Sequence, residues 1–331
     1  MMDHLERIRK KKILVTGGLG FVGANLVSTL IKEYACEVIV IDDCSNSSAE
    51  LPESWKGKVI FKQVSVLDFD EVIKYVPQVQ YIFHLACIQI AASSSDPLHD
   101  LRVNAESTLR LLNFIHKSDL PLLERFIYTS SCSVYGNSAN NFPAREEGAV
   151  APLSHYAATK MLGENYTILY NTQYGVPTSV VRYSNVFGYG QTPGNPYCGV
   201  LGKFIHNAIV EKPCLVIGDG EQTRDYTFIT DAIKATLLAA VHPKALGELF
   251  NVGTGKETSV NQLVTIINEL KGDIQIDYIP ERDIDNIRRR VVDTEKIHNK
   301  LNWAPQVDIK RGIAETLIWY KNYLLKNANN K

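Results

Sequence analysis

Net charge is the first thing this sequence lacks: 35 lysines and arginines against 36 aspartates and glutamates leave a formal −1 over 331 residues. No global basic field exists to hold nucleic acid or an anionic membrane, so an anionic ligand must be met by local groups. Cysteine is scarce. The six (Cys36, Cys44, Cys87, Cys132, Cys198 and Cys214) include no C-x-x-C pair, and the eight histidines form no ligand-spaced cluster. That spacing argues against a structural metal, and reduced thiols are the expectation for an intracellular chain. Long apolar runs are missing as well. Residues 1–12 are polar and basic and lead straight into a short apolar strand, which matches neither a secretory signal nor a membrane span. The expectation is a cytoplasmic protein with no nucleic-acid and no membrane partner. Internal repeats are absent, and low complexity is confined to the polar end at 326–331.

What the sequence does have is alternation. Short apolar runs at 12–16, 37–41, 59–61, 81–85, 125–129 and 176–182 read as buried strands, and amphipathic stretches separate most of them. Such alternation requires crossover connections, which predict a doubly wound α/β fold: a parallel sheet covered on both faces. Asp96-Pro97 reads as an N-cap followed by proline at the first helical position, opening a long helix to about Lys117. Ser154 can cap another reaching about Tyr174. Past 182 the character changes. Residues 188–199, rich in Gly, Pro, Asn and Gln, read as an irregular loop beside a ligand. Helices follow near 199–212, 231–241, 260–270 and 310–325, with strands near Leu249 and Ile276. The chain is about twice the usual domain length. It divides into a main domain over 1–182 and a smaller α/β lobe over 183–331, some of whose elements return to the first.

The first strand runs into Gly17-Gly18-Leu19-Gly20-Phe21-Val22-Gly23 and then a helix. Glycines there let the backbone turn sharply and approach a pyrophosphate, while the helix start at Phe21 and Val22 supplies amide donors and partial positive charge. Nineteen residues after Gly23 the second strand ends at Asp42. A carboxylate at that position accepts both adenosine ribose hydroxyls and repels a 2′-phosphate, which favours NAD over NADP. Adjacent Asp43 is an alternative for the role. His84-Leu85-Ala86 ends a later strand and passes beneath the cofactor at the carboxyl edge of the sheet, with a packing role for His84 equally open.

Tyr156 and Lys160 lie four apart on a predicted helix, which stacks them on one face. A free tyrosine is a poor base at neutral pH, but a neighbouring ammonium and a cationic nicotinamide both favour phenolate. Ser131, at a serine-rich strand end, would donate to the same substrate oxygen. Each signal alone is weak. Their order along one sheet is not.

On Thr16 to Gly23, Asp42, His84-Leu85-Ala86, Asn104, 131–136, Tyr156-x-x-x-Lys160, 182–188, 218–225 and Arg288, nearly the whole chain resembles the extended short-chain dehydrogenase/reductase family, in particular its NAD-dependent nucleotide-sugar epimerases. The resemblance implies a Rossmann-type domain with a nucleotide-sugar-binding lobe. It also implies NAD as cofactor and oxidation then re-reduction of a sugar carbon, usually C4 of a UDP-hexose, through a keto intermediate. Carried over residue by residue, Tyr156 takes the hydroxyl proton with Ser131 and Lys160 assisting. Gly17, Gly20, Phe21, Val22, Gly23, Asp42, Asp43, Ser65, Val66, Leu85, Ala86 and Asn104 face the cofactor with Tyr156 and Lys160. Asn185, Arg224 and Arg288 bind the substrate diphosphate, and Gln89, Cys132, Ser133 and Arg290 lie around the sugar. The long helices from Asp96 and Ser154 resemble those of a homodimer interface.

Several positions depart from the pattern. Ser65 replaces the family's adenine-contacting Asp, and Gln89 replaces a lysine near the diphosphate, both of which loosen the grip on NAD. Cys132-Ser133 stands where 4,6-dehydratases carry Asp-Glu, and a thiol and a hydroxyl do not supply the acid and base that elimination needs. Arg290 sits where related enzymes control access to the C2 substituent, and a cation there can recognise a carboxylate. Decarboxylation and simple 4-oxidation of a nucleotide sugar are therefore the competing enzymatic readings, and a nucleotide-binding regulatory module is the non-enzymatic one.

Overall fold

The computed structural model describes residues 4–137, 142–191, 199–281 and 287–328. The apolar runs assemble a parallel sheet from β1 (Lys12–Thr16), β2 (Glu37–Asp42), β3 (Val59–Gln63), β4 (Tyr81–His84), β5 (Arg125–Ser131), β6 (Thr178–Tyr183) and β7 (Leu249–Val252), in the order β7-β6-β5-β4-β1-β2-β3. Every pairing is parallel. The order reverses between β1 and β4, and that switch point is where an open α/β sheet offers a crevice at its carboxyl edge.

Alternate residues along the strands feed two cores, as a sheet covered on both faces requires. Val15, Val40, Phe83, Ile127 and Val181 point one way, against α1 (Phe21–Tyr34) and α5 (Ile229–Val241). Leu14, Ile39, Ile82, Phe126 and Val180 point the other way. They meet α2, built of Pro97–Leu101, a π-helical turn at Arg102–Glu106 and Ser107–Lys117, and α3 (His155–Tyr174). The caps fall as expected: Asp96 accepts from the His99 amide at 3.0 Å and Ser154 from the Ala157 amide at 3.2 Å. Past β6 come α4 (Val200–Ile209), then α6 (Val260–Lys271), α7 (Glu295–Leu301) and α8 (Ile309–Ala328).

The differences from the sequence reading have a common cause. Three small sheets were not foreseen. Asn185–Phe187 pairs with Tyr226–Phe228; Thr223–Arg224 pairs with Thr258–Ser259 and with Arg289–Arg290; Cys214–Ile217 pairs with Ile276–Ile279, the last alone having been anticipated as a strand. Strands of two to four residues are too short to carry periodicity. The same holds for α7 and for the 3-10 turn His4–Ile8. Helix α2 is not one regular helix, because the π-helical turn inserts an extra residue at the position of Asn104. Most of the loop at 188–199, Cys198 included, lies outside the described residues; the other five cysteines are free. Among the described residues no helix is long and apolar enough to cross a membrane, and no cluster of metal-ligating side chains occurs.

Candidate active site

Glycines shape the β1–α1 turn for specific reasons. Gly17 has φ +69, and a Cβ there would lie 2.7 Å from the Ala86 amide nitrogen, while one on Gly23 would lie 2.1 Å from the Gly17 carbonyl. Those two positions let the turn, the helix and the β4 exit touch backbone to backbone. Gly20 is different. A Cβ on it meets only the Gly17 carbonyl, at 3.3 Å, so its open side faces the groove, and as N-cap it gives α1 no side-chain cap. The uncapped amides at Phe21 and Val22 match a pyrophosphate. Asp42 closes the far side: its carboxylate accepts from the Leu19 and Cys44 amides, both at 2.9 Å, and from Ser47 Oγ at 3.1 Å. Asp43 is exposed and bonded to its own turn through the Ser45 amide. Ser65 Oγ accepts from the Leu67 amide at 3.2 Å, and Val66 packs with Ile88 and Val103. The residues present fit an NAD-sized dinucleotide.

The strand exits carry a continuous hydrogen-bond chain. The Ala86 amide donates to Thr16 Oγ at 3.3 Å, and Thr16 Oγ lies 2.7 Å from His84 Nδ1. On the other side, His84 Nε2 lies 3.1 Å from Thr108 Oγ, whose proton goes to the Asn104 carbonyl at 3.0 Å. This assigns the neutral imidazole with its proton on Nε2. Burial, reinforced by the Lys160 charge, lowers the His84 pKa to about 3. His84 is thus a brace between strand and helix. Asn104, itself fully buried, holds the stretch after Leu85: its amide bonds both backbone groups of Ile88, at 2.8 and 3.0 Å. Gln89, next along, stands at the N-cap position of the short helix Ile90–Ser95 without capping it through its side chain.

At the carboxyl ends of β5 and α3's first turn, Ser131, Tyr156 and Lys160 converge. Ser131 lies beside the Tyr156 hydroxyl, where it favours the phenolate, and Ser131 Oγ accepts from the Ser133 amide at 3.2 Å and hydroxyl at 2.9 Å. Lys160 Nζ lies 4.8 Å from the Tyr128 ring centroid. Burial raises the Tyr156 phenol above its ordinary range, opposed by Ser131, and burial lowers Lys160. Cys132 and Ser133 are buried just beyond, in a turn where Cys132 packs with Val292 and Met161.

The remaining polar residues reach this edge through the backbone. Ser131 pairs with Tyr183, and two residues later the Asn185 amide donates to the Asp225 carbonyl at 2.9 Å. Asp225 follows Arg224, which is in register with Arg290 on the neighbouring strand. Asn185, Arg224 and Arg290 are thereby strung along one path from Ser131. Arg224 Nη1 donates to the Thr223 and Ile287 carbonyls, both at 2.8 Å, and Arg290 is buried. Arg288 is placed apart. It is 55% exposed and bidentate to Asp219 at 2.8 Å on both oxygens, which holds the Asp219 carboxyl down at about 2.

Sequence reading missed a buried network behind α3. Glu164, one turn beyond Lys160, grips Arg182 of β6 at 2.9 and 2.5 Å, and Arg182 also donates to the Tyr135 hydroxyl at 2.7 Å. Asp100 of α2 was missed too, because its partner Thr159 lies on another helix, 59 positions away. The place of Cys87 escaped notice because a single thiol after a strand carries no spacing signal; it is near enough to Tyr156 and Lys160 to raise the pKa of both.

Residues 13–253 match the model of the NAD dependent epimerase/dehydratase family. The chain is 34% identical to the UDP-glucose 4-epimerase of Mycolicibacterium smegmatis, over 94% of this chain and 99% of that protein. It is 30% identical to the UDP-N-acetyl-alpha-D-glucosaminuronate decarboxylase of Bacillus cytotoxicus, over 94% and 98%. Among solved structures it is similar to the UDP-glucose 4-epimerase of Thermotoga maritima with UDP-glucose, with a TM-score of 0.87 and 33% identity over 95% and 99% of the two chains.

Proposed function

The chain belongs to the NAD-dependent epimerase/dehydratase family, and from that premise we propose that it inverts C4 of a UDP-hexose through a 4-keto intermediate. The observation that carries the reading is Tyr156 set beside Ser131, one helical turn from Lys160, at the carboxyl edge of a sheet whose first turn is cut for a dinucleotide. Bound NAD supplies the hydride acceptor and, afterwards, the hydride donor. Tyr156 takes the C4 hydroxyl proton as the C–H bond breaks and returns it after the keto-sugar has turned over. Ser131 donates to the same oxygen, and the Lys160 ammonium favours the phenolate and holds the nicotinamide ribose. Asn185, Arg224 and Arg290 hold the diphosphate and sugar, with Gln89, Cys132 and Ser133 lining the wall. Arg288 joins the diphosphate on releasing Asp219. The nucleotide acts as a handle whose binding energy positions the sugar.

The cofactor contacts on this reading are Gly17, Gly20, Phe21, Val22, Gly23, Asp42, Leu85 and Ala86. Ser65 and Val66 lie at the adenine, Asp43 at the ribose edge, and Asn104 acts from behind the Leu85–Ile88 stretch. Residues 1–182 form mainly the NAD domain and 183–331 mainly the sugar lobe. The protein works as a cytoplasmic homodimer, a reading supported by five free thiols and by apolar side chains on the outer faces of α2 and α3.

Decarboxylation is the second reading, favoured by buried Arg290 beside the sugar path, since a guanidinium there matches a uronate carboxylate. A panel of UDP-, GDP-, CDP- and dTDP-sugars and UDP-uronates with NAD, followed by mass and NMR, separates the outcomes. Unchanged mass with inverted C4 is expected. Loss of carbon dioxide, loss of water or stoichiometric NADH each points to a different enzyme, and no change with any sugar overturns the proposal.

A further inference from the structure

Tyr135 closes the short turn Cys132–Tyr135 that follows Ser131, and it is buried. Its hydroxyl serves two partners at once, accepting from Arg182 Nη1 and donating to Asn251 Oδ1, both at 2.7 Å. Behind Arg182 stands Glu164 of α3, one turn beyond Lys160, held at 2.9 and 2.5 Å. Beyond the tyrosine, the Asn251 amide divides its donors between two carbonyls, Ala144 at 2.9 Å and Asp293 at 3.1 Å. Those carbonyls can only accept, which fixes the orientation of the amide and leaves Oδ1 for the phenol. Ala144 in turn pairs with the segment after Arg290: its amide donates to the Val291 carbonyl at 2.9 Å, and its carbonyl accepts from the Asp293 amide at 2.8 Å. An unbroken line of hydrogen bonds thus runs from the helix of Tyr156 and Lys160, through the turn after Ser131, to the residues that follow Arg290.

Stability alone does not call for this arrangement. A buried ion pair such as Glu164–Arg182 recovers little more than its desolvation cost, and well-packed apolar side chains of similar volume hold a core as firmly. What a fully satisfied polar network adds is a single geometry. The segments it joins show what that geometry serves. Asn251 lies in register with Arg182 on the neighbouring strand, and its backbone amide is held by the Glu146 carboxylate at 2.7 Å, so the node is fixed to the main sheet. From there one bond reaches Tyr135, at the end of the turn that carries Cys132 and Ser133, and another reaches Asp293, three residues past Arg290. Val292 packs with Cys132 and Tyr135 in one apolar cluster. Two walls of the proposed sugar site, far apart in the chain, therefore meet at one phenol and one amide.

We propose that Tyr135 and Asn251 are positioning residues for the sugar: together they set the gap between the Cys132–Ser133 turn and Arg290. The inference rests on the proposed sugar-binding roles of that turn and of Arg290, but one of its tests needs no substrate. Tyr135→Phe keeps the ring and its packing and removes both bonds. With UDP-glucose as the probe, KM is expected to rise about tenfold, as loss of a buried hydrogen-bonded group produces, while kcat stays within about threefold and the Kd for NAD does not move. Repeated on Arg290→Ala, the same change is expected to leave KM where Arg290→Ala alone put it, because the guanidinium it would displace is gone. An equal rise in both backgrounds would mean general loosening and overturns the proposal. Without substrate, hydrogen exchange at the Ala144 and Asp293 amides is expected to quicken about tenfold in Tyr135→Phe while the amides of β1 hold their rates; unchanged exchange at both also overturns it. Asn251→Ser, which draws the side chain back from all three partners, is expected to show the same split between KM and kcat. Loss of the native fold in both variants, by circular dichroism, assigns the node to stability alone and overturns the positioning role. Failure of the functional reading shows differently, as a parent that binds no UDP-glucose by calorimetry while exchange at Ala144 and Asp293 still answers to Tyr135.

Discussion

His84 illustrates how a single side chain can serve the site without touching substrate. Both ring nitrogens are taken up, by Thr16 on the strand side and Thr108 on the helix side, and the ring must stay neutral to fill both roles. In the unfolded chain its pKa is the ordinary 6.5, whereas in the folded protein it falls to about 3. The unfolded state therefore binds an extra proton between those values, so the stability His84 contributes is complete above pH 6.5 and is lost as pH falls toward 3. At about pH 5 the loss is about 2 kcal/mol. Urea denaturation of the parent and of His84→Gln at about pH 7.5 and about pH 5 reads this directly: the acid loss is expected to be smaller in the variant by that amount. An equal loss in both would show that His84 is not kept neutral. Which residues were legible follows the same logic. Tyr156, Lys160, Ser131 and the glycines sit in local spacings that a sequence displays. Asp100, Glu164 and Arg182 act through partners 59, 18 and 47 positions away, which spacing cannot display.

At the scale of elements, helix α3 carries the proposed catalytic pair, Tyr156 and Lys160, and lies close to β5. Gly163, in the middle of that helix, is where they approach most tightly: a Cβ there would lie 2.4 Å from Tyr128 Oη and 2.6 Å from its Cζ. Glycine ordinarily weakens a helix, by about 1 kcal/mol relative to alanine. Here contact outweighs propensity. Gly163→Ala is expected to destabilise the protein by about 1–3 kcal/mol through overpacking, despite the better helix former, and to lower kcat by moving Tyr156 and Lys160 away from Ser131. Tyr128→Leu, which shortens the opposing side chain, should couple to it, so a double-mutant cycle by thermal melting has a clear sign: the pair costs less than the sum of the singles. Strict additivity would place the strain elsewhere. The ends of α3 and α2 were legible, because Ser154 and Asp96 are caps whose chemistry is local. The π-helical turn at Arg102–Glu106 was not, since it arises where Asn104 turns in to bond Ile88 on another segment.

For the molecule as a whole, strand-helix alternation was enough to give the doubly wound sheet, while the arrangement of the lobe depended on strands too short to announce themselves. The sheet gathers β7, from far along the chain, beside β6, and Asp225 then locks the lobe's connections by accepting from the Thr254 and Gly255 amides at 2.8 and 3.0 Å. One face of this assembly is left with apolar groups in water. Helices α2 and α3 turn Asp100, Asn104 and Lys160 inward and expose Leu98 (69%) and Leu101 (42%) on α2 and Leu169 (37%) on α3. Apolar side chains exposed along two neighbouring helices are what a two-fold partner would cover with its own copy of the same surface. The expected mass in solution, by sedimentation equilibrium at micromolar concentration, is therefore twice that of the chain. Leu98→Glu with Leu101→Glu is expected to give monomers, because charges facing their symmetry mates in a desolvated seam repel. Since the same helices hold the proposed catalytic pair from behind, kcat should fall with dimer content as the double variant is diluted, and NAD binding, which we assign to the glycine turn across the sheet, should change less. A parent that sediments as a monomer would remove the dimer, and with it any support that a second chain lends to the Tyr156 helix.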